Sequence, residues 1–236
     1  MSDLDTGQAP PPDVDLDRVW IGVAAHVWRR RPGPVERTAG RLLRSPGLAR
    51  ALLTTPSLLL PWLIASAAVL AAGAVATRGT GQPMVALLAP AVAATGIAYA
   101  YGPGIDPAWD LSRSMAVSDR MVLLARALAV FALNAVLGLA ASAGSGTAAA
   151  LTFGWLVPMT AVCALALAAA TTLRSPIAGV TAGAAGWTIV LLSGQAATGE
   201  FSVVVSRSAL VPAYLAAAAC CAVVVAYATR TSRGTT

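Results

Sequence analysis

From about residue 58 to residue 227 the chain is a succession of long apolar runs separated by short polar breaks. Few architectures tolerate that pattern. A run of roughly 20 apolar residues is the length a helix needs to cross the hydrocarbon of a bilayer. Inside lipid the backbone must satisfy its own hydrogen bonds, so a spanning segment of this kind is helical. The runs fall at about 58–77, 83–101, 121–141, 148–173, 177–192 and 209–227. They predict an all-α, polytopic membrane protein with six transmembrane helices. Trp62, Tyr99 and Tyr101 lie near run ends, where amphipathic rings anchor at the interface. Pro61, Pro90, Pro158 and Pro212 are candidate kinks without an assigned role.

Composition agrees. Hydrophobic residues make up 57% and charged residues 11%, with a mean hydropathy of +0.73. An ordinary soluble domain is about 25% charged. The net charge of +6 comes from arginine, because the chain has no lysine. On a soluble protein such a charge would raise nucleic acid as a partner; on this one it orients the spans by the positive-inside rule. With both termini inside, only Arg78 and Arg207 of the 16 arginines fall outside. The expected setting is therefore the cell membrane, with a lipid bilayer around the spans, cytoplasmic termini and no nucleic-acid partner.

Several chemistries are excluded by missing residues. A Walker A loop needs its lysine, so the chain is not itself a P-loop ATPase. His26, the single histidine, lies in the polar N-terminal region. That removes HExxH zinc chemistry and leaves nothing in the spans to activate Ser145 in Gly144-Ser145-Gly146. Cys163, Cys220 and Cys221 sit inside apolar runs and read as buried thiols rather than a disulfide or metal framework. No catalytic residue, cofactor or metal is expected, and an intramembrane enzyme is poorly supported. The first 17 residues carry no basic segment followed by an apolar one, so insertion is expected to start from an internal span.

Residues 1–12 are acidic and proline-rich and bury nothing. Residues 13–55 read as amphipathic helices on the cytoplasmic side. Asp13 to Arg31 reads as a helix, with Asp13, Asp15 and Asp17 at its positive end and Arg29, Arg30 and Arg31 at its negative end, as the helix dipole favours. Its apolar face is Trp20, Val23, Ala24 and Val27. Residues 34–44 repeat the theme, with Val35, Ala39, Leu42 and Leu43 against Arg37, Arg41 and Arg44, and 48–55 make a short turn or two before Pro56. Such a region lies on an anionic membrane surface or a partner, or is a solvated arginine-rich face beside the first span. Residues 56–229 then form the transmembrane domain and 230–236 a basic tail.

The longest polar interval among the runs is 102–126. Gly102-Pro103-Gly104 breaks the second run. Asp106-Pro107 reads as an N-cap with proline at the first helical position. A short interfacial helix over 106–115 follows, carrying Trp109, Asp110, Arg113 and Met115. Ser118-Asp119 caps the third span. Arg126 lies over a turn inside that span. It either snorkels to the cytoplasmic interface or pairs with Asp106 or Asp119 and fastens the elbow to the bundle. Asn134 reads as interhelical glue, and Gly179 and Gly183, with Gly186 beyond, as a small-residue packing face.

Six spans, inward termini, an amphipathic approach to the first span and a capped cytoplasmic helix between spans two and three resemble the second-type ATP-binding-cassette (ABC) exporter permeases. The local match is IDPAWDLSRSMAVSDRMVLLAR, which is similar to that family's acidic, Leu-rich passage into span three. The resemblance implies that 106–115 is a coupling helix docking into a separate ATPase subunit, through Asp106, Trp109, Asp110 and Arg113, with Asp119 and Arg126 as the elbow tether. It implies that 48–55 is the interfacial helix, and that the partners are an ABC ATPase and a second permease or another copy of this chain. The family's re-entrant outer helices between spans five and six would have only 193–208 to occupy. A narrower likeness links RPGPVERTAGRLLRSPGLARALLTTPSLLLPWLIA to the membrane half of actinobacterial zinc-finger anti-sigma-type proteins; the finger is absent, with no cysteine before Arg31. Two expectations follow: a permease subunit of an ATP-driven exporter, or a non-transporting membrane regulator that binds a cytoplasmic partner through 13–44.

Overall fold

Glycine, serine and proline in the polar breaks set the helix boundaries. The computed structural model describes residues 15, 17–22, 33–42, 44, 49, 60–101, 119–146 and 153–231. Within them lie α1 (Pro34–Leu42), α2 (Leu60–Thr80), α3 (Met84–Tyr99), α4 (Asp119–Ser145), α5 (Leu156–Thr172), α6 (Pro176–Thr198), α7 (Val203–Ser206) and α8 (Val211–Thr231). A helical stretch at 17–22 precedes them, and no strand occurs among the described residues. The all-α expectation holds.

Local chemistry explains each stop. Gly81 (φ 71°) ends α2 and donates its N–H to the Thr77 carbonyl at 2.9 Å. Gly199 (φ 74°) ends α6 in the same way, bonding the Gln195 carbonyl at 2.8 Å. These left-handed positions suit glycine because it has no Cβ to clash. Between α5 and α6 the same turn is made by arginine. Arg174 has φ 51°, and the Ser175 N–H reaches back to the Ala170 carbonyl at 3.1 Å. Ser175 then caps α6 by accepting from the Ala178 N–H, with Pro176 at the first helical position.

The apolar helices alternate in direction. Arg78 of α2 donates to the Gly144 carbonyl of α4, so those C-terminal ends lie together. Trp62 and Tyr99 meet edge to face at 5.8 Å, which brings the start of α2 to the end of α3. Trp155, just before α5, lies over Gly138 near the end of α4. Tyr214 of α8 donates to the Val204 carbonyl of α7 at 3.1 Å. One end of the bundle therefore gathers 60–62, 99–101, 119–120, 172–176 and the end of α8, and the other gathers 78–84, 144–146 and 198–211.

α3 and α5 hold the centre. α5 packs on α3, α6 and α8, while α2 and α4 pack on α3 and on each other. Their buried residues are small: Ala89, Ala93, Ala94 and Ala98 on α3, Ala166 and Ala170 on α5. α6 approaches through its glycines. A methyl group added at Gly179 would stand 2.7 Å from the Ala166 carbonyl oxygen and 2.9 Å from the Ala98 Cβ; one at Gly183 would stand 3.1 Å from the Ala94 Cβ. The glycine face expected from sequence thus touches both central helices. Where lipid is the solvent, such close backbone packing replaces the hydrophobic effect as the cohesive force.

Among the described residues, four helices are long and apolar enough to cross a membrane, over Pro61–Thr80, Arg120–Ser145, Pro176–Thr198 and Ser208–Arg230. The 16-residue α3 and 17-residue α5 are shorter. At 1.5 Å per residue they span about 24 and 26 Å, against a hydrocarbon core of ~30 Å. They are also the helices most enclosed by the others, whereas in α8 only 6% of its most apolar window is buried. Ile64, Val75, Leu128, Val136, Ile177, Ile189, Leu215 and Val223 point outward and are more than half exposed. An apolar belt of that extent suits lipid and not water.

Candidate functional site

The expected docking residues Asp106, Trp109, Asp110 and Arg113 lie outside the described residues, as does the side chain of Asp119. The flanks of that segment are described. Tyr101 lies two residues beyond α3, and Asp119 opens α4. Burial pushes the Tyr101 phenol above its ordinary value, and the Arg174 guanidinium pulls it the other way. Tyr101 and Arg174 therefore stand within electrostatic reach of one another. Arg120 and Arg230 belong to the same end of the bundle, and Arg78 and Arg207 to the opposite end.

Arg174 is informative for another reason. A non-glycine residue in the left-handed region is uncommon and costs on the order of 1 kcal/mol. Glycine would fit the turn better, so the backbone alone does not account for arginine there.

Inside the bundle, α4 turns one face inward at four-residue steps: Arg126, Val130, Asn134, Gly138 and Ser142, all buried. That spacing places residues one above another on a helix. Every second step is polar. Arg126 has no exposed surface, and with Trp155 it is among the largest fully buried side chains. Asn134 donates from Nδ2 to the Val130 carbonyl at 2.8 Å. Its Oδ1, like the indole nitrogens of Trp62 and Trp155, is buried without a hydrogen-bond partner among the described residues. A methyl group at Gly138 would come 2.5 Å from the Trp155 ring, and one at Gly96 would come 2.9 Å from Val130 and 3.1 Å from the Trp62 Nε1. Small residues on α3 and α4 thus admit two tryptophans beside the polar face. Arg126 and Asn134 were singled out in the sequence; their eight-residue spacing, continued by Ser142, was there to be read as well.

The opposite end carries a plug. Val204 and Val205 of α7 are buried, and a methyl group at Gly194 or Gly154 would collide with them. The connection between α6 and α8, expected to have little room for inserted structure, holds this single helical turn and the 3-10 turn Ser208–Leu210.

Ser145 donates to the Ser142 carbonyl at 2.7 Å. Cys163 is buried, Cys220 is exposed and Cys221 is half-buried, all as free thiols. No cluster of three or more metal-ligating side chains occurs among the described residues. Of the helix expected over 13–31, the described residues 17–22 are helical, and of the one expected over 34–44, Pro34–Leu42 is. Asp15 caps the 17–22 stretch by accepting from the Arg18 N–H at 3.1 Å, and α1 has Glu36 in its first turn and Arg41 in its last. Val19, Trp20 and Ile21 are exposed.

No known family, curated protein or solved structure matches this chain.

Proposed function

We propose that this chain is the transmembrane subunit of an ATP-driven exporter resembling the second-type ABC permeases. In this reading all six apolar helices cross the cell membrane, both termini are cytoplasmic, and a separate ATPase grips the elbow at 106–115. The observation that carries it is the return of the chain. Alternating helices bring Tyr101 and Asp119 to the end that holds Arg120, Arg174 and Arg230, away from Arg78 and Arg207. By the positive-inside rule that end is cytoplasmic, where an ATPase can reach the intervening segment.

The mechanism follows from where rigidity lies. ATP-driven closure of two ATPases would press on the elbows of two permease subunits, this chain with a second permease or with another copy of itself. α4 begins at Asp119 and carries Arg126 inside the bundle, so a push on the elbow enters α4 directly. The α3–α5–α6 block, packed closely at Gly179 and Gly183, would move as one body. Alternating access would then arise at the interface between subunits. The test is co-purification of an ATPase with the intact chain, compared with the double variant Trp109→Ala and Asp110→Arg. Unchanged association removes the docking assignment.

A second reading is supported by the exposed Val19-Trp20-Ile21 patch. In it the chain is a non-transporting membrane regulator whose residues 13–44 bind a cytoplasmic partner. Removing residues 1–45 separates the two: loss of a signalling phenotype with transport intact favours the regulator.

A further inference from the structure

α2 and α4 do not close against each other along their whole length. Between them runs a groove of about 360 Å³, lined by Leu70, Ala74, Val75, Leu137 and Ala141, with Arg78 at its mouth. Specific small-molecule sites occupy roughly 300–1,000 Å³. A second groove with Arg120 at its rim, between α4, α5 and α8, measures about 120 Å³ and falls below that range. The larger groove extends along α2 from Ala67 to Arg78, about 16 Å of helix at ~1.5 Å per residue.

We propose that this groove is a binding site for an anionic phospholipid, one acyl chain lying against Ala74, Val75 and Leu137 and the phosphate resting on Arg78. It rests on the reading that α2 and α4 span a bilayer, as their length and composition allow. The charge complementarity is specific. Arg78 lies in the last turn of α2, at the end of the apolar stretch, where a headgroup lies when its chain follows the helix. Its Nη2 donates to the Gly144 carbonyl in the last turn of α4. That bond holds the guanidinium across the mouth of the groove and uses one of its five N–H donors. The exposed remainder can take a phosphate bidentately, as guanidinium groups commonly do. A second protein helix would bury the charge against apolar side chains, with only the Gly144 carbonyl to offset the cost.

The test uses the full chain purified in detergent, with native mass spectrometry and thermal melting as readouts. Phosphatidylglycerol, phosphatidylcholine and inorganic phosphate are the probes. Wild type is expected to retain phosphatidylglycerol in preference to phosphatidylcholine and to melt several degrees higher with it, inorganic phosphate alone having no effect. Arg78→Gln should reduce the preference about tenfold, the scale of one charge-assisted hydrogen bond. Ala71→Trp, at an exposed position on the groove wall, should block both lipids while leaving Arg78 in place. Equal retention of the two lipids, an unaltered preference in Arg78→Gln, or stabilisation by inorganic phosphate alone overturns the proposal. A disulfide-linked dimer from Ala71→Cys also overturns it, by naming a second copy as the occupant. Carbonate extraction keeps the two readings apart: release of wild type from membranes removes the spanning reading and the groove together, whereas retention without lipid preference removes only the groove.

Discussion

The indole nitrogen of Trp187 donates to the backbone carbonyl of Leu87 at 2.7 Å, across 100 residues of sequence, from α6 to α3. The contact lies in the turn that Pro90 disturbs. Proline has no N–H, so the Ala86 carbonyl loses its helical donor, and the ring crowds the same turn. Neighbouring helices commonly satisfy backbone groups loosened in this way. Trp187 is 2% exposed. Trp187→Phe should therefore destabilise the protein by about 1 kcal/mol through the bond alone, the scale of interhelical hydrogen bonds in membranes, with the lost ring volume adding to it. Thermal melting in detergent measures this; Pro90→Ala in the same background should recover part of the loss.

Glycine contacts on α6 predict a graded response. At Gly179 a methyl group would meet backbone, the Ala166 carbonyl oxygen at 2.7 Å; at Gly183 its nearest neighbours are alanine methyls at 3.1 and 3.2 Å. Gly179→Ala should cost about 1–3 kcal/mol, the usual range for overpacking. Gly183→Ala should cost less than Gly179→Ala. Folded yield and melting midpoint of the two variants give the order.

Arg126 is wholly buried on the inner face of α4. Replacing it with alanine removes a large buried side chain and should lower stability by about 2–5 kcal/mol. Arg126→Met keeps most of the volume without the charge, and apolar replacements of buried ionic groups are often tolerated. If the chain is the proposed exporter subunit with Arg126 as tether, the expected result is a folded Arg126→Met protein that no longer transports. Transport by that variant at the wild-type rate would make the residue structural only.

The thiols supply an internal reporter of folding. Cys163 lies in the core and Cys220 on the exposed face of α8. A membrane-permeant maleimide should label Cys220 in the native protein and Cys163 only after thermal unfolding. Peptide mapping before and after the melt distinguishes them.

Much of the bundle was legible because its signal is coarse. Six apolar runs became six apolar helices, four of them long enough to cross a membrane, since length and hydropathy decide that outcome largely without tertiary detail. The ends were less legible. Arg78 and Thr80 read as loop, yet α2 continues through them, because Thr77 and Thr80 bond the carbonyls of Gly73 and Ala76 in their own helix and Arg78 finds Gly144. Ser193 and Thr198 likewise bond Val190 and Gly194, which carries α6 past residue 192 to the Gly199 stop. Polarity alone misplaces a boundary when the polar group is satisfied along its own helix. Nor could apolar run length say which helices take the centre; that follows from where alanine and glycine permit close approach. The elbow residues Asp106, Trp109, Asp110 and Arg113 remain a matter of sequence pattern and family likeness.

The most direct test of the account is the sidedness of the elbow. In a background with the three native cysteines replaced, Gly81→Cys and Trp109→Cys would be probed with a membrane-impermeant maleimide on intact cells and again after lysis. The account predicts labelling at position 81 in intact cells and at position 109 only after lysis. Labelling at position 109 in intact cells would contradict it.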